Sequence, residues 1–245
     1  MELSAVQYAV LLIAALLAGL SKTALNGIGP LTAALAASVL PAGESTGVVL
    51  VWLLLGDLFA IRAYHAHADW RVLRRLAPAV VVGILLGVLF VSNVNTEVLR
   101  RSIGAILFIL VVMQLVMSRS GDVLEDRRLP QWITNAAGVT GGFTSMLANA
   151  GGPVMNLYLL SAKSAVLGFL GTTAWLFFAI NLFKLPFSIG LGLLTPFAFK
   201  VAALCLPALV IGAAVGLRIA RRLTFERFKQ MVLVFTALAS LNLLR

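Results

Sequence analysis

Apolar residues fill ten runs along the chain, separated by short polar or charged clusters. In the first half the runs cover residues 4–20, 30–40, 46–63, 76–92 and 102–117; in the second they cover 132–148, 153–162, 165–183, 197–217 and 230–244. A helix needs about 20 residues to cross a hydrocarbon core. The third, fourth and fifth runs of each half approach that length and predict membrane-spanning helices. The first two differ: a short run, a break rich in Gly, Asn and Pro, then a shorter run. That pattern fits either a re-entrant hairpin or two short spans.

The same order of events occurs twice. The stretch Gly19-Leu20-Ser21-Lys22-Thr23-Ala24-Leu25-Asn26-Gly27-Ile28-Gly29-Pro30 overlays Gly142-Phe143-Thr144-Ser145-Met146-Leu147-Ala148-Asn149-Ala150-Gly151-Gly152-Pro153 at a constant offset of 123. Trp52 meets Trp175 at that offset. Further on, Pro78, Ala79, Gly83 and Gly87 meet Pro207, Ala208, Gly212 and Gly216 at an offset of 129, as Glu97 meets Glu226 and Arg100 meets Lys229. Extra residues in the second half are expected in a loop from about Pro186 to Pro196. Matched blocks in the same order argue for a duplicated unit.

Basic clusters set the expected orientation. Arg62, Arg71, Arg74 and Arg75 follow the third run of the first half, whereas Arg218, Arg221, Arg222, Arg227 and Lys229 follow the fourth run of the second. If both clusters are cytoplasmic, equivalent runs cross in opposite directions. The expected architecture is therefore an all-α polytopic membrane protein of two inverted-topology repeats, each a broken or re-entrant helix pair followed by three transmembrane helices. Residues 1–118 form the first repeat, 119–131 a cytoplasmic linker and 132–245 the second repeat. Both chain ends fall on the non-cytoplasmic face.

Composition narrows the class. Of 245 residues 61% are hydrophobic and 11% charged, where a soluble domain keeps roughly a quarter charged. Mean hydropathy is +1.03. The net charge of +10 sits in short clusters without interleaved aromatics, which does not suggest nucleic acid. The lone Cys205 lies in an apolar run and is expected to pack rather than react. Met1-Glu2-Leu3 lacks a basic stretch of the kind that opens a cleaved signal, so the first run is expected to stay in the membrane.

The paired breaks are the sharpest candidate site. Pro30 and Pro153 suit the first turn of a new helix. New helices starting at membrane depth would turn partly positive N-termini toward a cavity, where an anion is favoured. Close helix packing by small residues is the competing explanation. Ser21, Lys22, Asn26, Gly27 and Gly29 from the first break, with Thr144, Ser145, Asn149, Gly151 and Gly152 from the second, are the candidate substrate-binding residues. Asn181 and Lys184 share a helix face and join them. Each lysine could instead snorkel to the interface. Asp57 is the candidate for proton coupling, with a local ion pair to Arg62 as the alternative. Glu44 is expected to cap the third run. His65 and His67 make a weak metal signal, and neither a metal, a cofactor nor a catalytic constellation is expected.

Taken together, these residues resemble the sulfite exporter TauE/SafE family, also called the toluene sulfonate uptake permease family. The resemblance spans nearly the whole chain. It rests on the Gly- and Pro-marked first block of each half, on Ala68-Asp69-Trp70-Arg71 followed by Pro78 and Gly83-x-x-x-Gly87, on Asn181-Leu182-Phe183-Lys184, and on Gly212-x-x-x-Gly216 before Arg221-Arg222-Leu223. Members commonly carry a denser glycine run where this chain has Lys22, Asn26 and Asn149. The resemblance implies a secondary carrier of sulfite, sulfonates or related small organosulfur anions in a bacterial inner membrane, with no enzymatic activity. The lipid bilayer and the anion are the expected partners, with a homodimer left open. A carrier of another anion or of a metal cation, a lipid-modifying enzyme and an assembly factor are the alternatives.

Overall fold

The computed structural model describes residues 3–24, 28–95, 97–98, 101–102, 105, 109, 130–161 and 166–220. Within them every regular element is a helix, as a bilayer requires of a chain that must satisfy its own backbone polar groups. The first half gives α1 (Ala5–Thr23), α2 (Gly29–Val39), α3 (Ala42–Tyr64), a 3-10 turn at His65–His67 and α4 (Trp70–Asn93). The second gives α5 (Gln131–Ala148), α6 (Gly152–Ser161), α7 (Val166–Gly190), α8 (Pro196–Leu204) and α9 (Leu206–Ala220). The fifth run of each half, the charged linker before Pro130 and the basic cluster from Arg221 onward lie outside the described residues, isolated positions apart.

Helix starts follow their side chains. Ser4 and Gln7 form a reciprocal capping box at α1, and the Asp69 carboxylate accepts from the Arg71 and Val72 amides at the start of α4; each cap satisfies donors that a first turn leaves unpaired. Glu44, expected to cap α3, falls in its first turn but does not cap it: the cap position is Pro41 and no side chain bonds the first amides. α1, α3, α4 and α7 are long and apolar enough to cross a membrane, and α8 with α9 forms a fifth candidate bent by 53°. Their outer faces are apolar: Val6, Ile13, Leu89 and Ile211 are each more than half exposed, which lipid tolerates and water penalises.

Two further expectations change. The run 197–217 was expected as one span, yet it breaks at Cys205 into α8 and α9. Pro207 has no N–H to give a continuing helix and sits where a first turn needs none. The loop expected from Pro186 to Pro196 is shorter, because α7 continues through Pro186 to Gly190. The half-helix α2 is short, with 11 residues or about 16 Å at 1.5 Å per residue, and α6 has 10 residues up to the edge of the described segment.

Small residues bring the helices together in two matching seams. α4 packs along α5 and α1 along α9. A methyl group on Gly83 would run into the Val139 carbonyl, and one on Gly142 into the Val80 carbonyl. In the other seam a methyl on Gly212 would strike the Leu16 carbonyl, and one on Gly19 the Leu209 carbonyl. Such backbone proximity is how helices gain contact where lipid supplies no hydrophobic drive. Between the seams, α3 packs against α7. The Trp52 indole of α3 donates to the Ala202 carbonyl of α8 at 3.3 Å.

Candidate functional site

Ala24 and Ile28, which flank the first break, and Asn149 and Ala150 at the second are buried. α1 ends with Ser21, Lys22 and Thr23 all buried. Its last carbonyls are met by the Ala24 amide, which donates to Leu20, and by the Tyr64 hydroxyl, which donates to Thr23 at 2.9 Å. α2 then begins at Gly29 with Pro30 in its first turn and with no side-chain cap. Asn26 and Gly27 lie outside the described residues. At the second break Asn149 ends α5 in the left-handed region, φ 53°, a conformation that asparagine adopts more readily than most residues. Its amide donates to the Ser145 carbonyl, the Ala150 amide donates to Thr144, and α6 starts at Gly152.

Two buried lysines meet at these breaks with different partners. The Lys22 ammonium lies 2.8 Å from one Asp57 oxygen, an ionic contact rather than a well-aligned hydrogen bond, and 4.6 Å from the centre of the Phe177 ring. Gly56 makes room for it, since a methyl there would press on the Lys22 stem at 2.9 Å. The second Asp57 oxygen accepts from the Asn181 amide at 2.7 Å. Asp57 is fully buried, and its partner is Lys22 rather than Arg62. Five residues turn a helix by about 140° away from the starting face, and Arg62 is exposed. Lys184, 2% exposed, instead donates to neutral oxygens: the Ser145 carbonyl at 3.0 Å, the Ser145 hydroxyl at 3.2 Å and the Asn149 side-chain oxygen. Neither lysine snorkels.

Between them lies a cavity of about 20 Å³, which accommodates one water-sized sphere and no sulfur oxyanion. Its wall includes Ser21, Lys22 and Gly29 from the first break, Ser145, Asn149, Gly151 and Gly152 from the second, and Asn181 from α7. Leu53 and Phe177 complete it with apolar surface. The helix N-termini at Gly29 and Gly152 thus border one space together with a lysine. The formal charges of Lys22, Asp57 and Lys184 add to a single positive charge. The arrangement can bind an anion once side chains withdraw, since the space as it stands holds one water-sized sphere.

Of the expected site residues, eight line this cavity, and Lys184 reaches it through Ser145 and Asn149. Thr144 does not, since its hydroxyl lies against the Thr140 and Gly141 carbonyls of its own helix. Leu53 and Phe177 were missed, as apolar residues in apolar runs carry no signal of their own. Thr46 was missed too; its carbonyl accepts from the Asn149 amide at 3.4 Å. His65 and His67 are exposed in the 3-10 turn, away from the cavity wall.

The chain belongs to the sulfite exporter TauE/SafE family, whose model matches residues 11–243. No curated protein and no solved structure matches it. Membership and the long apolar helices together make it a multi-pass membrane protein of a transporter family.

Proposed function

We propose that this TauE/SafE member is a secondary carrier that moves small organosulfur anions, sulfite or sulfonates, across a bacterial inner membrane by alternating access. One observation carries the proposal: two helix N-termini and two buried lysines, contributed by both halves, converge on a single internal cavity. Partly positive helix ends, neutral hydroxyl and amide donors and a buried cation suit an oxyanion whose charge is spread over three oxygens. The water-sized cavity is then the closed state, and anion entry draws Lys184 from Asn149 or Lys22 from Asp57.

The halves move as inverted repeats in this scheme. The reciprocal seams support it: the first helix of each half packs against the helix carrying the second glycine pair of the other half. Asp57 is the candidate proton carrier, since a proton on its carboxylate would release Lys22 to the cavity. Counterflow in proteoliposomes tests the carrier. Preloaded unlabelled sulfite or methanesulfonate should drive uptake of labelled anion, and acetate, magnesium and manganese should not. Uptake driven by a metal cation, or no exchange by a well-folded protein, would end the proposal.

A further inference from the structure

We infer that Asp57 sets the valence of the anion the site accepts, admitting one negative charge and discriminating against two. The inference rests on the anion-carrier proposal and sharpens it to singly charged substrates. Lys22 and Asn181 line the cavity, whereas Asp57 stands behind both and does not. Both carboxylate oxygens are held, by Lys22 at 2.8 Å and Asn181 at 2.7 Å, and the residue is fully buried. Its charge is therefore held in place and screened far less than a surface charge would be. It cancels Lys22. Lys184 has only neutral oxygens as partners among the described residues, so the three groups present one net positive charge. A singly charged anion neutralises it. A doubly charged one leaves an unpaired negative charge in a buried site, which is costly. The count applies to the ionised carboxylate, the state that its contacts with Lys22 and Asn181 describe.

Methanesulfonate and sulfate make the test clean: they are nearly isosteric, and each holds a fixed charge near neutral pH. Calorimetric titration and thermal stabilisation of the full-length purified protein should show methanesulfonate binding at least tenfold more tightly than sulfate. At an effective dielectric of about 20, one unit charge roughly 6 Å away changes the affinity for another by about a hundredfold. Asp57→Asn should therefore move the ratio toward sulfate by about that factor, and Asp57→Glu should restore the wild-type order. A pure packing defect would not distinguish the two anions. Because Asp57→Asn leaves Lys22 unpaired and can fail to fold, a Lys22→Met, Asp57→Met double variant serves as the second arm. It keeps the same net charge and should keep the preference for methanesulfonate. Equal or tighter sulfate binding by the wild type overturns the inference, as does an unmoved ratio in Asp57→Asn or a sulfate shift in the double variant. If the wild type binds neither of these anions nor sulfite, the anion-carrier proposal itself falls.

Discussion

The two breaks share a frame and differ in chemistry. At the first, the lysine belongs to the broken helix itself, and a carboxylate from α3 neutralises it. At the second, the equivalent of Lys22 is Ser145, and the lysine arrives from α7 to donate to that serine and to Asn149. The matched parts are the helix ends and the glycine seams, which bring the helices of the two halves together. The charges are placed once each, so the site has a compensated side and an uncompensated side. Lys184 can exchange neutral oxygens for an anion's oxygens at little electrostatic cost, whereas Lys22 must leave a carboxylate. In the proposed carrier the second break would then meet the anion first, with the Lys22–Asp57 pair as its counterweight.

The largest expected effect comes from breaking that counterweight on one side. Lys22→Ala leaves the Asp57 carboxylate buried without its cation, which should cost about 3–5 kcal/mol, seen as a large fall in the melting temperature of the purified protein. The Lys22→Met, Asp57→Met pair removes both charges and should recover most of that loss. If Lys22→Ala melts like the wild type, the two lysines are not as unlike as their contacts indicate. Next in size is Lys184→Met, which removes the uncompensated charge. Anion affinity should drop about a hundredfold, from the same Coulomb magnitude near an effective dielectric of 20, while the buried Ser145 and Asn149 oxygens lose their donor at a cost of about 1–3 kcal/mol in stability. A titration that finds affinity intact would transfer the anion's charge partner elsewhere.

The glycine seams offer a comparison in which the halves should behave alike. Gly83→Leu and Gly212→Leu each push a side chain into a backbone carbonyl of the neighbouring helix, and overpacking of this kind costs about 1–3 kcal/mol. The two losses should agree within about 1 kcal/mol. A cost confined to one seam would mean that the matched glycines no longer do matched work.

Much of the frame was legible because it is local. Gly29-Pro30 and Gly152-Pro153 restart helices by constraints that act within a few residues, and the matched glycine pairs stood out by their spacing, although not the helices they pack against. The pairings were not legible. Lys22 and Asp57 are 35 residues apart, as are Asn149 and Lys184, and nothing in either neighbourhood names the partner; Arg62 was the only local candidate for Asp57 and points elsewhere. The bend at Cys205 escaped for a related reason. Pro78 and Pro207 match at the same offset, yet α4 runs through Pro78 while α8 stops before Pro207. Tertiary packing decides which proline a helix absorbs.

The smallest effect separates backbone from side chain at Asn149. Its left-handed φ of 53° costs an ordinary residue about 1–2 kcal/mol, and glycine nothing. Its side-chain oxygen holds Lys184, a charge-assisted hydrogen bond worth about 1.5–3 kcal/mol. Asn149→Gly therefore removes the side chain and keeps the backbone, whereas Asn149→Ala removes both. Glycine should lose about 1.5–3 kcal/mol with that hydrogen bond, and alanine about 1–2 kcal/mol more for the left-handed backbone. In both variants Lys184 keeps its two Ser145 oxygens, so anion affinity should change by no more than about tenfold, and by the same factor in each. If alanine binds much more weakly than glycine, the left-handed turn, by aiming the α6 N-terminus, contributes more to the site than the amide that marks it in the sequence.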